Sequence, residues 1–242
     1  MAASTLGNPT DSRFWAVVPA AGRARRMGGA TPKQYLQLAQ RTVIEWALAP
    51  FLEHPHCAGI VVVIAADDRH WPQLEVSRHP KIRTAPGGLE RMDSVRSGLQ
   101  ALAGQAQERD WVLVHDAARP CVTAGELDRL IDELQGEEVG GLLAIPVVDT
   151  LKRADADERV TETVSRTALW RALTPQMFRF GVLERALRQA ALAGHAVTDE
   201  AQAVEALGLN PRLVRGDPDN IKITLTEDLA RAELVLHSRG RA

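Results

Sequence analysis

The sequence predicts an α/β fold, with a Rossmann-like, mostly parallel sheet, helices on both faces and an extended β arm. Three observations carry this. Apolar runs such as FWAVV at 14–18, GIVVVIA at 59–65 and GLLAIPVV at 141–148 have the unbroken hydrophobicity of strands buried on both faces. Between them lie segments of helical periodicity long enough for right-handed crossovers. After residue 148 the rhythm stops: DTLKRADADERVTETVSRTALWR, residues 149–171, alternates polar and β-branched residues with no continuous apolar face. Such an arm cannot pack alone, so it is expected to pair across the two-fold axis of a homodimer.

In order, the first strand ends at Pro19, because proline has no N–H to give a ladder. Thr42 caps a helix whose apolar face reads Val43, Ile44, Trp46, Ala47, Leu48, Phe51 and Leu52. The strand at 59–65 is followed by a less regular helical stretch from Asp67 towards Arg78 and a short strand at 81–85. Pro86-Gly87-Gly88 turns the chain into a helix carrying Met92, Val95, Leu99, Leu102 and Ala106. Trp111 to His115 is a buried strand. Thr123 and Glu126 then form a capping box for a helix with Leu127, Leu130, Ile131 and Leu134, and the strand at 141–148 follows. Beyond the arm, a helix is expected from Phe180 to Ala193 and another, capped by Thr198, ending before Gly208. Short strands at 211–214 and 221–224 and a last helix starting at Thr226 complete the pattern. Residues 1–13 read as a disordered leader and 14–238 as one domain that includes the arm.

Composition narrows the function. The chain has 242 residues, of which 45% are hydrophobic, enough for a full core. A net charge of −2 from 29 basic and 31 acidic residues gives no electrostatic footprint for nucleic acid or a membrane surface. Cys57 and Cys121 lack metal-ligand spacing, and no segment has the length of a signal peptide core or a membrane span, so a reducing cytoplasm is expected.

Positive charge is local. Where the first strand ends, Ala20, Ala21 and Gly22 let the backbone approach a ligand, and Arg23, Arg25, Arg26 and Lys33 gather cations over the loop. The loop suits a polyphosphate at the carboxyl edge of a sheet. Ala24 and Met27 stand where a dinucleotide fingerprint needs glycine, and Met27 also breaks the Walker pattern. Asp116 ends a buried strand at the same edge. It is a candidate Mg²⁺ ligand, since magnesium takes one or two protein carboxylates plus substrate phosphates. As a carboxylate exposed to the site it is expected to contribute little to the core. Arg119 can reach an anionic substrate, Gly87, Gly88 and Ser94 offer a second corner of backbone donors, and strand alternation turns Lys222 away from Ile221 and Ile223. No Ser-His-Asp or Cys-His set has supporting context.

PAAGRARRM, TPKQY, ERMDSV, VHDAARP, PVVDTLKR, LWRALTPQ, TDEA and DNIKIT occur in the order found in the 2-C-methyl-D-erythritol 4-phosphate cytidylyltransferases, nucleotidyltransferases of the non-mevalonate isoprenoid route, which the chain resembles over roughly residues 14–235. The resemblance implies transfer of a cytidylyl group from CTP to methylerythritol phosphate with release of pyrophosphate. It assigns Arg26 and Lys33 to charge on the nucleotide phosphates and Arg166 and Lys222 to the acceptor phosphate. Mg²⁺, or another divalent cation, falls to Asp116. It places Pro19, Ala20, Ala21, Gly22, Gly88, Ser94 and Ala117 around CTP, with Arg119 and Thr150 near the acceptor, and it implies a homodimer. Ala24 stands where the family pattern has glycine, and Leu89 where aspartate often follows the glycine pair, so base recognition at Leu89 must use backbone groups. Competing readings are a cytidylyltransferase for another polyol phosphate, such as ribitol phosphate, and a catalytically silent nucleotide-binding domain.

Overall fold

The structure, a computed structural model, describes residues 13–22 and 31–241. The first strands are β1 (Phe14–Pro19), β2 (Gln37–Leu38), β3 (Arg41–Thr42), β4 (Cys57–Ile64), β5 (Ile82–Pro86) and β6 (Trp111–Val114). Then come β7 (Gly140–Pro146), β8 (Leu151–Ala154), β9 (Val160–Val164), β10 (Trp170–Arg179) and β11 (Arg212–Arg215). Seven of them form one sheet in the order β11-β7-β10-β6-β1-β4-β5. Its pairs are parallel except at β10, which runs antiparallel to both β6 and β7.

The central strands alternate between two cores, as a sheet covered on both faces requires. Phe14, Ala16 and Val18 of β1, Ile60 and Val62 of β4, and Trp111 and Leu113 of β6 share one core with α1 (Val43–Glu53) and α3 (Ala124–Leu134). Trp15, Val17, Val61, Val63, Val112 and Val114 point the other way. There they meet α2 (Arg91–Leu102), α4 (Phe180–Leu192) and α5 (Glu200–Glu205). A third cluster packs Ala232, Val235 and Leu236 of α6 (Glu227–Ser238) on Trp46, Leu38 and Cys121. Among the described residues, no helix is long and apolar enough to cross a membrane.

The structure departs from the sequence expectations in five places. Residues 221–224 join no strand ladder; Ile223 N–H instead donates to the Ala118 carbonyl at 2.8 Å. The helix expected to carry Ala106 ends at Leu102, whereas the irregular stretch towards Arg78 is helical as expected, in two short 3-10 helices, Trp71–Gln73 and Glu75–Arg78. Asp199, not Thr198, is the N-cap of α5: its carboxylate accepts Gln202 N–H at 2.9 Å. The short hairpin β2–β3 was not anticipated. Finally, Trp170 and Arg171, expected in the arm, begin β10, an interior strand. Pro175 argues against an interior strand by sequence. The structure accommodates it with a register irregularity against β7 between Ala172 and Gln176.

Candidate active site

The carboxyl ends of β1, β4, β5 and β6 converge on one edge. Ala20 N–H donates to Val63 O at 2.7 Å, Gly87 N–H to Ile64 O at 2.7 Å and His115 N–H to Val17 O at 3.0 Å, so three strand-to-loop turns are tied side by side. Gln34 braces the first of them, donating through Nε2 to the Ala20 carbonyl at 2.6 Å. Gly87 is required by packing, because a Cβ there would collide with that of Ala21. Gly88 N–H donates to Ser94 Oγ at 3.2 Å, and the adjoining Leu89 side chain is 100% exposed. The phosphate-loop residues Arg23, Arg25 and Arg26, with Ala24, lie outside the described residues.

Asp116, just past β6, is the electrostatic centre. Its Oδ1 accepts from Arg91 Nε at 3.1 Å, while Lys222 Nζ lies 2.8 Å and Arg119 Nε 3.6 Å from Oδ2. Burial alone would raise this carboxyl; Arg91, Lys222 and Arg119 override it and hold the group well below the usual carboxylate range. The expectation that Asp116 is exposed is corrected: it retains 7% of its surface, because three cations close over it.

Backbone geometry around Asp116 is fixed by a directional hydrogen-bond chain. The Arg119 carbonyl can only accept, so His115 Nε2–H donates to it at 3.1 Å. His115 Nδ1 is then the acceptor for the Thr174 hydroxyl at 3.0 Å, and that hydroxyl oxygen accepts Asp116 N–H at 3.1 Å. Full burial lowers the His115 pKa to about 4, against the pull of Asp116, which keeps the ring neutral and the chain in this sense. Arg119 Nη1 donates to Asn220 O at 2.6 Å, and Asn220 Nδ2 to Thr174 O at 2.9 Å. These contacts hang the segment carrying Lys222 beside Asp116. Lys33 Nζ donates to Ile223 O at 2.7 Å, bringing a second lysine to the same segment.

Of the residues singled out from sequence, Asp116, Arg119 and Lys222 are thus brought into contact, Lys33 lies beside them, and Ala20, Ala21, Gly88 and Ser94 line the neighbouring turns. Thr150 and Arg166 are not part of this cluster: both are exposed, and Arg166 Nη1 donates to the Val148 carbonyl. Sequence reading missed Arg91 and Glu200. Arg91 donates to both oxygens of Glu200, at 2.6 and 3.1 Å. Burial pushes the Glu200 carboxyl up, opposed by the Arg91 guanidinium, which stays protonated. The signal for both residues was present in ERMDSV and TDEA, where a charge sits beside core positions.

A mostly parallel sheet whose carboxyl edge carries a cation-ringed aspartate beside a small-residue turn is the arrangement of an α/β nucleotidyltransferase. The chain matches the family model for IspD, 2-C-methyl-D-erythritol 4-phosphate cytidylyltransferase, over residues 14–238, and it belongs to that family. It is 57% identical over 220 residues to the 2-C-methyl-D-erythritol 4-phosphate cytidylyltransferase of Ectopseudomonas mendocina, covering 90% of this chain and 94% of that one. It is also 57% identical over 221 residues to the enzyme of the same name from Pseudomonas aeruginosa, covering 91% and 94%. Among solved structures, a 4-diphosphocytidyl-2C-methyl-D-erythritol synthase superposes with TM-score 0.81 at 39% identity, covering 93% of this chain and 98% of that chain. The Francisella tularensis 2-C-methyl-D-erythritol 4-phosphate cytidylyltransferase gives TM-score 0.79 at 34% identity, covering 93% and 100%.

Proposed function

We infer that this chain transfers the cytidylyl group of CTP to 2-C-methyl-D-erythritol 4-phosphate, giving 4-diphosphocytidyl-2-C-methyl-D-erythritol and pyrophosphate. The observation that carries the mechanism is the cluster of Arg91, Arg119 and Lys222 around Asp116 at the sheet's carboxyl edge. An oxygen of the acceptor phosphate attacks the α-phosphorus, and the bond from that phosphorus to the bridging oxygen breaks as pyrophosphate leaves. The acceptor is ionised at neutral pH, so no general base is needed; the chain's task is alignment and neutralisation of charge.

Lys222 is suited to this, with 43% of its side chain exposed and its ammonium already at the site. We assign it to the acceptor phosphate, with Arg119, and assign Lys33 and Arg26 to charge on the nucleotide phosphates. Pro19 to Gly22, Gly88, Ser94 and Ala117 form the nucleotide pocket in this reading. Among the described residues no three acidic, histidine or cysteine groups could hold a metal unaided. The residues fit a Mg²⁺ held by Asp116 alone together with substrate phosphates, where it would draw negative charge from those phosphates. We assign Thr150 and Arg166, on the arm, to the partner's site in a homodimer. Cys57 and Cys121 are buried thiols, which suits a cytoplasmic location.

The test is pyrophosphate release from CTP with methylerythritol phosphate, with ribitol 5-phosphate, and with neither. Release that requires methylerythritol phosphate is the expected result; equal release with ribitol 5-phosphate would overturn the acceptor assignment, and none with either would overturn the activity.

A further inference from the structure

The two oxygens of Asp116 are held in different ways. Oδ1 faces Arg91, whose guanidinium is gripped from behind by both oxygens of Glu200. Glu200 is 1% exposed and opens α5, where it has no room to move. On one side of it Asp199 caps the helix and accepts from Gln176 Nε2 at 2.9 Å; on the other, Ala201 N–H donates to Gln176 Oε1 at 2.8 Å. A rigid fork between two fixed carboxylates is a clamp. Arginine can make it because its donors are coplanar and point in two directions at once. Oδ2 instead has its close contact, 2.8 Å, with Lys222, a single charge on a flexible stem reaching in from a segment outside the sheet, while Arg119 Nε stands back at 3.6 Å.

We propose that Arg91 is a positioning residue, clamped by Glu200, which commits Oδ1 of Asp116 to the protein and leaves Oδ2 to exchange Lys222 for a divalent cation arriving with the nucleotide. The proposal rests on the nucleotidyltransferase reading and deepens it. Arg91 thereby fixes the plane of the carboxylate, so that Oδ2 points the same way whether or not Lys222 is on it. Glu200 acts only through Arg91.

The test compares Glu200→Gln, Arg91→Lys and the double variant in the whole enzyme. Gln keeps the shape of Glu200 without its charge, and lysine keeps the charge of Arg91 without its fork. Mn²⁺ affinity is read by electron paramagnetic resonance with a non-hydrolysable CTP analogue, beside kcat, KM for CTP and Tm. Loss of an outer-shell partner of a metal ligand typically costs about 10–100-fold in affinity or activity. Each single variant is expected to weaken Mn²⁺ and lower kcat in that range, with KM for CTP rising alongside, because metal and nucleotide bind together and their affinities are linked. The double variant should be no worse than the weaker single one, because both break the same clamp. Unchanged Mn²⁺ affinity in either folded variant, or losses that multiply in the double, would overturn the proposal. If Glu200→Gln does not fold, Arg91→Lys alone decides by the same readouts. Wild-type protein that binds Mn²⁺ and nucleotide without acceptor-dependent pyrophosphate release would instead overturn the proposed function, while leaving the affinity comparison readable.

Discussion

Lys222 is the one cation of the Asp116 cluster that combines a close contact, 2.8 Å, with a side chain nearly half exposed. Removing it takes away transition-state charge stabilisation and little packing. Lys222→Ala should therefore lower kcat by about 100-fold to 1,000-fold with Tm close to wild type; turnover within a few-fold of wild type would take Lys222 out of the mechanism. Asp116→Asn is different. It leaves three cations facing a neutral amide in a buried site, and breaking such a set by removing one charge costs about 3–5 kcal/mol. We expect loss of activity together with a fall in Tm of roughly 10 °C. His115 sets a pH dependence. Its folded pKa is about 4 against an ordinary 6.5, so between those values the unfolded chain takes up a proton that the folded chain refuses. Stability is thus full above pH 6.5 and falls as pH drops towards 4, by about 3 kcal/mol at most. Buried His54, lowered in the same direction by desolvation, adds to the slope. Tm measured from pH 7 to 5 should decline, and less steeply in His115→Gln. Asp116, Arg119 and Lys222 were legible because strand ends and alternation mark single positions. Arg91 and Glu200 leave only a charge beside core positions in ERMDSV and TDEA, and its meaning arises when α2 and α5 meet over Asp116.

Among the elements, α2 matters most to the site because it carries both Arg91 at its start and Ser94 one turn on. Its closeness to the sheet depends on Gly98: a Cβ there would stand 2.5 Å from Val17 Cγ1 and 3.1 Å from Val63 Cγ2. Two effects oppose each other on substitution. Replacing a helical glycine gains up to about 1 kcal/mol of propensity, whereas overpacking a filled core costs about 1–3 kcal/mol. Valine surrenders part of the propensity gain and adds two further methyl groups to the collision, so packing wins. Gly98→Val should lower Tm by several degrees and weaken CTP binding as α2 shifts; an unchanged Tm would mean that α2 does not rest on β1 in this way. The valine-rich strands and α1, α2, α3 and α4 were readable from apolar runs and periodicity. β10 was not, because buried Thr174 and Gln176 and the proline between them imitate a loop. Those polar residues are buried for the site's sake, Thr174 holding His115 and Asp116, Gln176 holding the start of α5.

At the scale of the molecule, the arm is the part that its own chain does not explain. β8 and β9 pair antiparallel, yet their side chains are almost all exposed, and Val148 and Val160 retain 71% and 63% of their surface. An isolated two-stranded hairpin is marginal in water, so it needs a surface to lie on. Arg166 stands at its base, outside the cluster that holds Asp116, Lys222 and Arg119. Both facts fit a homodimer in which the arm completes the partner's site. The decisive experiment dissociates and mixes two inactive variants, Lys33→Ala and Arg166→Ala, under conditions that let subunits exchange. In a mixed dimer, one site combines both lesions, and the other receives Lys33 from one chain and Arg166 from the other. Random assortment makes about half of the dimers mixed, each with one whole site, so about a quarter of all sites should recover. If Arg166 serves its own chain, every site keeps a lesion and no activity returns after verified exchange. A monomer in solution would exclude the arrangement before any mixing is done.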